Sequence, residues 1–503
     1  MLSRNNFRVS LLSLTLILVG ILIAIPPFAV RSDYGNGTGP GGVGTTNGTS
    51  NLVLWLYAGS LPQNNGSPVS TWTDKSGYGN HANQSTVDNQ PTLQTNIMNG
   101  QPVVRFDGSI SANDYLVVPD NANLDNTTGL SIVTVANPSN LGSEIPRGLI
   151  SKRGGYRVEA SYSLFFLTGD FLTVDINTYN ATPDDRFSTT TAYLNGTSKI
   201  IELIYDGSLT PSDRSKVYNE GLLDITAFET SPTIPHYNRN LVIGTLNEGY
   251  GAYFGGDIPE VIIFREALNL ARRTLVENYL GAKYDLTVLN NRYGGSTTGK
   301  GDFDLNVSGI GQEADGSNTI ADSAGMIISN QSYLTNNGDY LLFGHRTSVN
   351  SNTTDDLPTD WASLPYAQRW SRSWYIDVTD IAGNGGSVNI TFDFSEANMT
   401  GVPGDPSNYR LLKRSVAGDP FEVVGGISAS ISGDQVIFNG VGVTQLGSDF
   451  TLGTLDSSSS PTAIKLLSFT ASTLSSHTIV GILFVLIGSV IMVSSRLLPK
   501  QKI

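Results

Sequence analysis

Short runs of apolar residues alternate with clusters of Gly, Asn, Asp and Ser along most of the chain. In one such run Val388, Ile390 and Phe392 alternate with polar residues, which is the period-2 pattern of a half-buried strand. Recurring short strands separated by turn residues are typical of β-sandwiches. The pattern therefore predicts an all-β fold whose strands fall into two blocks, residues 51–289 and 302–455.

One segment has the periodicity of a helix instead. Apolar residues recur at spacings of three and four over residues 267–283, which predicts an amphipathic helix that closes the first block. On this helix we expect Arg272, Arg273 and Glu277 to form a solvated face.

Three polar segments precede, separate and follow the two blocks. Residues 31–50 are rich in Gly, Thr and Asn, and residues 290–301 read NNRYGGSTTGKG. Both compositions are typical of flexible linkers. Residues 456–477 are mostly polar and are predicted to form a stalk.

Both ends of the chain are apolar with basic flanks. Residues 1–30 have arginines before an apolar run, the pattern of a signal peptide or signal anchor. Residues 478–495 carry no charge and are long enough for a short transmembrane helix, and residues 496–503 would be its basic cytoplasmic tail. The sequence thus predicts a cell-surface protein that is anchored in the membrane, with its body outside.

The composition narrows the chemistry. The 503 residues include no cysteine, and the formal net charge is −14. Disulfides and thiolate metal sites are therefore excluded. An acidic protein repels phosphate backbones, so nucleic acid is not expected as a partner.

Three segments carry a resemblance to a known family. They are residues 72–82 (WTDKSGYGNHA), 99–108 (NGQPVVRFDG) and 256–264 (GDIPEVIIF), the last followed by the predicted helix. In this order they resemble the laminin-G-like, concanavalin A-like jelly-roll domains of prokaryotic surface proteins. The resemblance implies a jelly-roll sandwich for residues 51–289. The second block resembles, more weakly, a β-sandwich of unknown function that often follows such a domain.

Calcium binding is the first candidate function, and acidic residues would supply the ligands. Calcium binds several oxygen ligands from carboxylates, carbonyls and amides, and jelly rolls of this kind often hold one ion on a rim. The acid-rich loops at the end of the second resembling segment and after it offer Asp107, Asp114, Asp120 and Asp125. The same residues also suit turns and caps, which need no metal ion.

Carbohydrate binding is the second chemistry. Exposed aromatic rings can stack on sugar faces, and the candidates are Tyr156, Tyr162, Tyr250 and Tyr253. Aromatic residues on strands also serve as core or cross-strand pairs, so a structural role for each tyrosine stays open.

Catalysis is the third. Glycosidases use two carboxylates that flank the scissile bond, but the sequence has no run of alternating acids on a strand, and no catalytic residue is assigned. The favoured function is binding or adhesion to a glycan or another surface protein, with calcium as a possible cofactor. A self-associating component of the cell envelope is the alternative, and a glycoside hydrolase is the third hypothesis.

Overall fold

The computed structural model describes residues 37–458, except 112, 126, 156–158, 179–185, 250 and 347–348. Over this range the protein is mostly β-structure, as predicted, with a single described α-helix. Short 3-10 helices join some of the strands: Ala58–Ser60, Val87–Asn89, Ala122–Leu124, Thr359–Trp361, Pro406–Asn408 and Val443–Gln445.

The first part of the chain forms sixteen described strands. In chain order they are β1 (Leu52–Tyr57), β2 (Thr71–Trp72), β3 (Ala82–Asn83), β4 (Thr92–Met98), β5 (Gln101–Phe106), β6 (Leu116–Val118), β7 (Gly129–Pro138), β8 (Arg147–Lys152), β9 (Ala160–Leu167), β10 (Phe171–Thr178), β11 (Arg186–Ala192), β12 (Lys199–Asp206), β13 (Ser215–Asn219), β14 (Leu222–Ala227), β15 (Leu241–Ile243) and β16 (Gly256–Phe264).

These strands pair antiparallel into two eight-stranded sheets. The first sheet runs β14-β13-β12-β7-β16-β5-β4, with β1 pairing to β16. The second runs β11-β10-β9-β8-β15-β6-β3-β2. A buried apolar core fills the space between the sheets, so this part of the chain is a β-sandwich.

The first sheet is covered on both of its faces, which explains the unbroken apolar run at the end of β16. Val261 and Ile263 belong to the core between the two sheets. Ile262 and Phe264 point the other way and belong to a second buried cluster. Successive residues of a strand face opposite sides, so a strand that is buried on both sides needs apolar residues at every position.

A helix, α1 (Leu270–Tyr284), covers the outer face of the first sheet. Its predicted start at residue 267 is three residues early because Asn269 caps the helix, its side chain accepting a 2.9 Å hydrogen bond from Arg272 N. The expected solvated face is wrong for two of its three residues: Arg273 and Glu277 are buried. Both face the first sheet, where Arg273 contacts Glu202 and Tyr218, and a second layer of structure packs against the helix around Leu275.

That layer is the second part of the chain, which forms fourteen described strands. They are β17 (Leu305–Glu313), β18 (Gly316–Asn318), β19 (Ile320–Ser323), β20 (Met326–Asn330), β21 (Tyr340–His345), β22 (Asn352–Thr353), β23 (Gln368–Trp370), β24 (Trp374–Thr379), β25 (Ser387–Asp393), β26 (Tyr409–Arg414), β27 (Glu422–Val423), β28 (Ala429–Ser432), β29 (Gln435–Gly442) and β30 (Asp449–Thr454).

These strands form a nine-stranded and a five-stranded sheet. The larger one runs β18-β17-β21-β24-β30-β23-β22, with β26 pairing to β30 and β27 to β26. The smaller one runs β19-β20-β25-β29-β28. Trp374 on the larger sheet packs against Phe392 on the smaller one, with ring centroids 5.8 Å apart. The prediction that this block is rich in β-strands is confirmed.

The two sandwiches share a buried cluster through α1. This cluster takes Trp55 and Phe264 from the first sandwich, Leu275 from the helix, and Val307 and Leu342 from the second sandwich. The described part of the chain from residue 37 onward belongs to one compact unit, so the sandwiches are packed together and are not separated by free linkers.

The two segments predicted as flexible linkers are therefore packed where the structure describes them. In the first, Val43 is fully buried, and Gly41 lies so close to the helix that a Cβ would fall 2.6 Å from Leu275 O. In the second, the buried Tyr293 donates a 2.6 Å hydrogen bond to Phe303 O. Small and polar residues serve close backbone approach here, which composition alone does not distinguish from flexibility.

The prediction of a membrane-anchored surface protein is corrected. Among the described residues no helix is both long and apolar enough to cross a membrane, and the structure supports no anchor. Residues 1–30, residues 478–495 with their basic tail, and the predicted stalk beyond residue 458 lie outside the described part of the chain.

Candidate functional site

Four charged or titratable side chains meet at one rim of the first sandwich. Lys152 ends β8, Asp120 follows β6, and Asp125 follows the 3-10 helix at Ala122–Leu124. His236 lies on the loop that leads to β15. Three separate loops or strand ends are therefore joined at this cluster, which we call the rim cluster.

The ammonium group of Lys152 stands at the centre of the rim cluster. Its Nζ lies 2.5 Å from Asp120 Oδ1 and 3.1 Å from Asp125 Oδ2. It also donates hydrogen bonds to the carbonyl oxygens of Tyr237 at 3.0 Å and Arg239 at 2.6 Å. The side chains of Lys152 and Asp125 are fully buried, so this ion pair is shielded from water and is held by hydrogen bonds on both sides.

His236 completes the rim cluster from the solvent side. Its Nδ1 is hydrogen-bonded to Asp125 Oδ1 at 2.8 Å, and its Nε2 lies 3.6 Å from Asp120 Oδ2. One potential ligand atom from each of these three residues lies within 4.8 Å of the others, which is a spacing that a metal ion can bridge. The Lys152 ammonium shares this space.

The other two predicted calcium ligands are not part of the rim cluster. Asp114 is buried, and its Oδ2 accepts a 2.8 Å hydrogen bond from Asp107 N. Asp107 Oδ1 in turn accepts a 3.0 Å hydrogen bond from Ser109 N. Burial raises the pKa of Asp114. These contacts organise the loop after β5, which is the turn role that the sequence left open.

Two of the four tyrosines predicted to contact a glycan, Tyr162 and Tyr253, lie among the described residues. Tyr162 is fully buried in the first core, and its hydroxyl donates a 2.9 Å hydrogen bond to Leu124 O, so neither face of its ring is open to a ligand. Tyr253 is 6% exposed and stacks on Tyr115 with ring centroids 6.3 Å apart. Tyr156 and Tyr250 lie outside the described residues.

A different part of the first sandwich is concave. Leu222, Leu223 and Leu289 are 60%, 46% and 61% exposed, and we call them the leucine ridge. Two crevices adjoin the ridge and share it as a wall. The β11 crevice has a volume of about 340 Å³ and reaches Thr190 on β11, and the helix crevice has about 680 Å³ and reaches Asn269 at the start of α1.

Polar side chains converge on the β11 crevice. Lys199 Nζ lies 2.7 Å from Glu220 Oε2. Asp224 Oδ1 accepts a 2.5 Å hydrogen bond from Thr190 N, and its Oδ2 accepts one of 3.3 Å from Asn219 Nδ2. The crevice therefore combines an apolar wall with an ordered set of donors and acceptors, as ligand pockets commonly do.

A pair of carboxyl groups lies beneath this region. Glu202 on β12 and Glu277 on α1 are fully buried, and both face the guanidinium of Arg273 at 3.2 and 3.4 Å. Burial raises the pKa of Glu202 well above its ordinary value, and the neighbouring Glu277 raises it further. Because both carboxyls are closed off from solvent, they cannot flank a glycosidic bond in this conformation.

Sequence reasoning found half of the rim cluster. Asp120 and Asp125 were predicted together, whereas Lys152 and His236 were missed. A lysine at the end of the apolar strand GLISK and one of only four histidines are the signals that could have drawn attention to them. The leucine ridge was missed because leucines in a strand sequence, such as the adjacent Leu222 and Leu223, ordinarily predict core.

Comparisons with known proteins identify no family. The sequence matches no family model and no curated protein. Among solved structures, the chain is similar to a Trypanosoma rangeli sialidase in complex with 2,3-difluorosialic acid, with 16% identity and a TM-score of 0.28. The similarity covers 47% of this chain and 33% of the sialidase, so the chain spans about a third of such sialidases.

Two smaller structures are also similar. One is domain 4 of AbnA, a GH43 extracellular arabinanase from Geobacillus stearothermophilus, in complex with arabinotriose (12% identity, TM-score 0.30, 45% of this chain and 97% of that one). The other is the CBM40 of a Ruminococcus gnavus IT-sialidase bound to α2,3-sialyllactose (15% identity, TM-score 0.26, 44% and 95%).

Proposed function

We propose that the protein is a non-catalytic carbohydrate-binding protein. Its first sandwich would be a laminin-G-like domain, and its ligand would be a linear glycan lying over the leucine ridge. The observation that carries the proposal is the pair of crevices that share this exposed apolar wall.

The surface of a sugar suits this arrangement. A pyranose ring has apolar C–H faces and a rim of hydroxyl groups, so it needs both apolar contact and hydrogen-bond partners. The leucine ridge offers the apolar contact, and Lys199, Asn219 and Asp224 offer the hydrogen-bond partners. A volume of about 340 Å³ in the β11 crevice is within the range of small-ligand pockets, and a chain of sugars could continue into the helix crevice.

Hydrolysis is less well supported than binding at this site. Glu220 and Asp224 both line the β11 crevice, as a glycosidase would require of two carboxylates. Glu220 is engaged by the Lys199 ammonium, and Asp224 accepts from backbone N–H groups. A glycosidase needs one of its two carboxyl groups free to reach the leaving group, whereas both carboxylates here are engaged by protein groups.

The test is a glycan and polysaccharide array probed with the full-length chain, once in calcium and once in chelator. We expect binding to one class of linear glycan in both conditions, because the carboxylates of the β11 crevice already have protein partners. A blank array in both conditions would contradict the proposal and would favour self-association through the ridge.

The site itself is tested with a double variant, Leu222→Ser with Leu289→Ser. The expected result is at least tenfold weaker glycan binding, since the apolar wall is lost. The matched control is Ile320→Ser with Val416→Ser, which removes two leucine-sized or smaller apolar side chains of similar exposure, 52% and 60%, from the second sandwich. Equal binding by both double variants would place the glycan elsewhere.

A further inference from the structure

We propose that the Lys152 ammonium is a built-in cation that takes the place of a divalent metal ion in the rim cluster. On this view the loops of the rim are held together by the lysine, and the native protein binds no calcium through Asp120 and Asp125. The inference is independent of the glycan proposal, because the ridge and the rim cluster share no residue.

The oxygen atoms around Lys152 Nζ are the kind that calcium selects. Two carboxylates, Asp120 and Asp125, and two backbone carbonyls, Tyr237 and Arg239, lie 2.5 to 3.1 Å from the nitrogen. Calcium binds carboxylate and carbonyl oxygens at ~2.3–2.6 Å. An ammonium group binds similar oxygens at slightly longer hydrogen-bond distances. The same four oxygen atoms, which we call the cage, can therefore hold either cation.

The cage joins separate segments of the chain, as the ligands of a metal ion commonly do. The four oxygens come from the segment after β6, from the end of the 3-10 helix at Ala122–Leu124, and from the loop before β15. Asp125 is further oriented by Ser161 Oγ, which donates a 2.9 Å hydrogen bond to Oδ2, and by His236 Nδ1, which lies 2.8 Å from Oδ1. Outer hydrogen bonds of this kind commonly fix the ligands of a metal ion.

Charge explains why the two cations exclude each other. The cage holds two carboxylates and one ammonium, so its charge is already half neutralised before any ion enters. A divalent ion at the same oxygens would stand next to the buried ammonium, and like charges repel strongly where water is excluded. Removing the ammonium leaves two carboxylates and two carbonyls facing one gap.

The decisive variant is Lys152→Met, which keeps an unbranched side chain one atom shorter than lysine and removes its charge. Full-length wild type and variant are freed of metal with chelator and then titrated with calcium chloride by isothermal titration calorimetry. We expect one calcium site in the variant, at least tenfold tighter than any binding by wild type. Adding Asp125→Asn to the variant should abolish that site.

Lys199→Met is the matched control, because Lys199 is also ion-paired to a carboxylate but stands outside the cage. It should bind calcium no better than wild type. Calcium binding by wild type that Asp125→Asn removes would overturn the proposal, as would a folded Lys152→Met that gains no calcium affinity.

Folding of the variant is checked by circular dichroism. If Lys152→Met does not fold without metal, Lys152→Gln replaces it, because the amide keeps two donors for the carbonyls. If neither folds in chelator, calcium added during refolding should restore the native spectrum. Failure of calcium to restore it would also overturn the proposal.

Discussion

The indole Nε1–H of Trp55 donates a 2.6 Å hydrogen bond to Glu260 Oε1. This contact joins β1 to β16 inside the protein, where both residues are buried. Glu260 also accepts hydrogen bonds from Tyr279 at 2.9 Å, Tyr284 at 2.7 Å and Lys283 at 2.8 Å. The Glu260 carboxylate therefore joins the first sheet to α1, and both of its oxygen atoms accept hydrogen bonds.

Removing the Glu260 carboxylate should lower the free energy of unfolding. Glu260→Ala leaves the buried Lys283 ammonium without its anion, and breaking a buried ion pair from one side costs about 3–5 kcal/mol of unfolding free energy. Burial lowers the pKa of Lys283 even with Glu260 present. Urea unfolding of wild type and variant at pH 7 measures the loss.

Glu220→Ala is the control for this experiment. Its ion pair with Lys199 is about one-third exposed, so its removal should cost less than ~1 kcal/mol. Similar losses for the two variants would show that the Glu260 network adds no stability beyond a surface pair.

A cavity-forming substitution in α1 should destabilise the second sandwich as well as the helix. Leu275 on α1 touches β17 so closely that a Cβ on Gly309 would fall 2.8 Å from Leu275 Cδ2. Leu275→Ala should lower the unfolding free energy by about 2–5 kcal/mol, because it removes a fully buried side chain. Hydrogen exchange followed by mass spectrometry should show faster exchange in β17 as well as in α1.

Leu172→Ala is the matched variant, because Leu172 is equally buried but belongs to the core between the two sheets of the first sandwich. It should speed exchange in the second sheet and leave β17 protected. Unchanged exchange of β17 in Leu275→Ala would contradict the shared core.

Asp322 on β19 should make stability depend on pH. Burial raises the pKa of Asp322 to about 7, and Glu396 and Asp393 raise it while Arg372 opposes them. The unfolded carboxyl titrates near ~3.9, so between about pH 4 and 7 the unfolded state loses a proton that the folded state keeps. Stability therefore falls as the pH rises through this window.

The amide variant removes this dependence. Relative to wild type, Asp322→Asn should be about 1–4 kcal/mol more stable at pH 8, at ~1.4 kcal/mol for each unit of pKa shift, and the two should be similar at pH 4. Urea midpoints at both pH values measure the change. A wild type and variant that respond equally to pH would refute the assignment.

The sequence by itself determined the class of fold and several of its elements. The alternation of Val388, Ile390 and Phe392 predicted a strand, and β25 buries those three side chains while it leaves Asn389 and Thr391 half-buried. The helix was predicted within a few residues of its true ends. These successes rest on periodicity, which neighbouring residues define without any distant contact.

Which surfaces are covered was decided only by the tertiary structure. Arg273 and Glu277 looked solvent-exposed on an isolated helix, yet both are buried against the first sheet, where Glu202 and Tyr218 contact Arg273. Asp120 and Asp125 are joined by Lys152, some thirty residues away in the chain, whose ammonium lies 2.5 Å from the first carboxylate and 3.1 Å from the second. Burial and charge pairing depend on what a distant segment brings to a face, and local pattern carries no record of that segment.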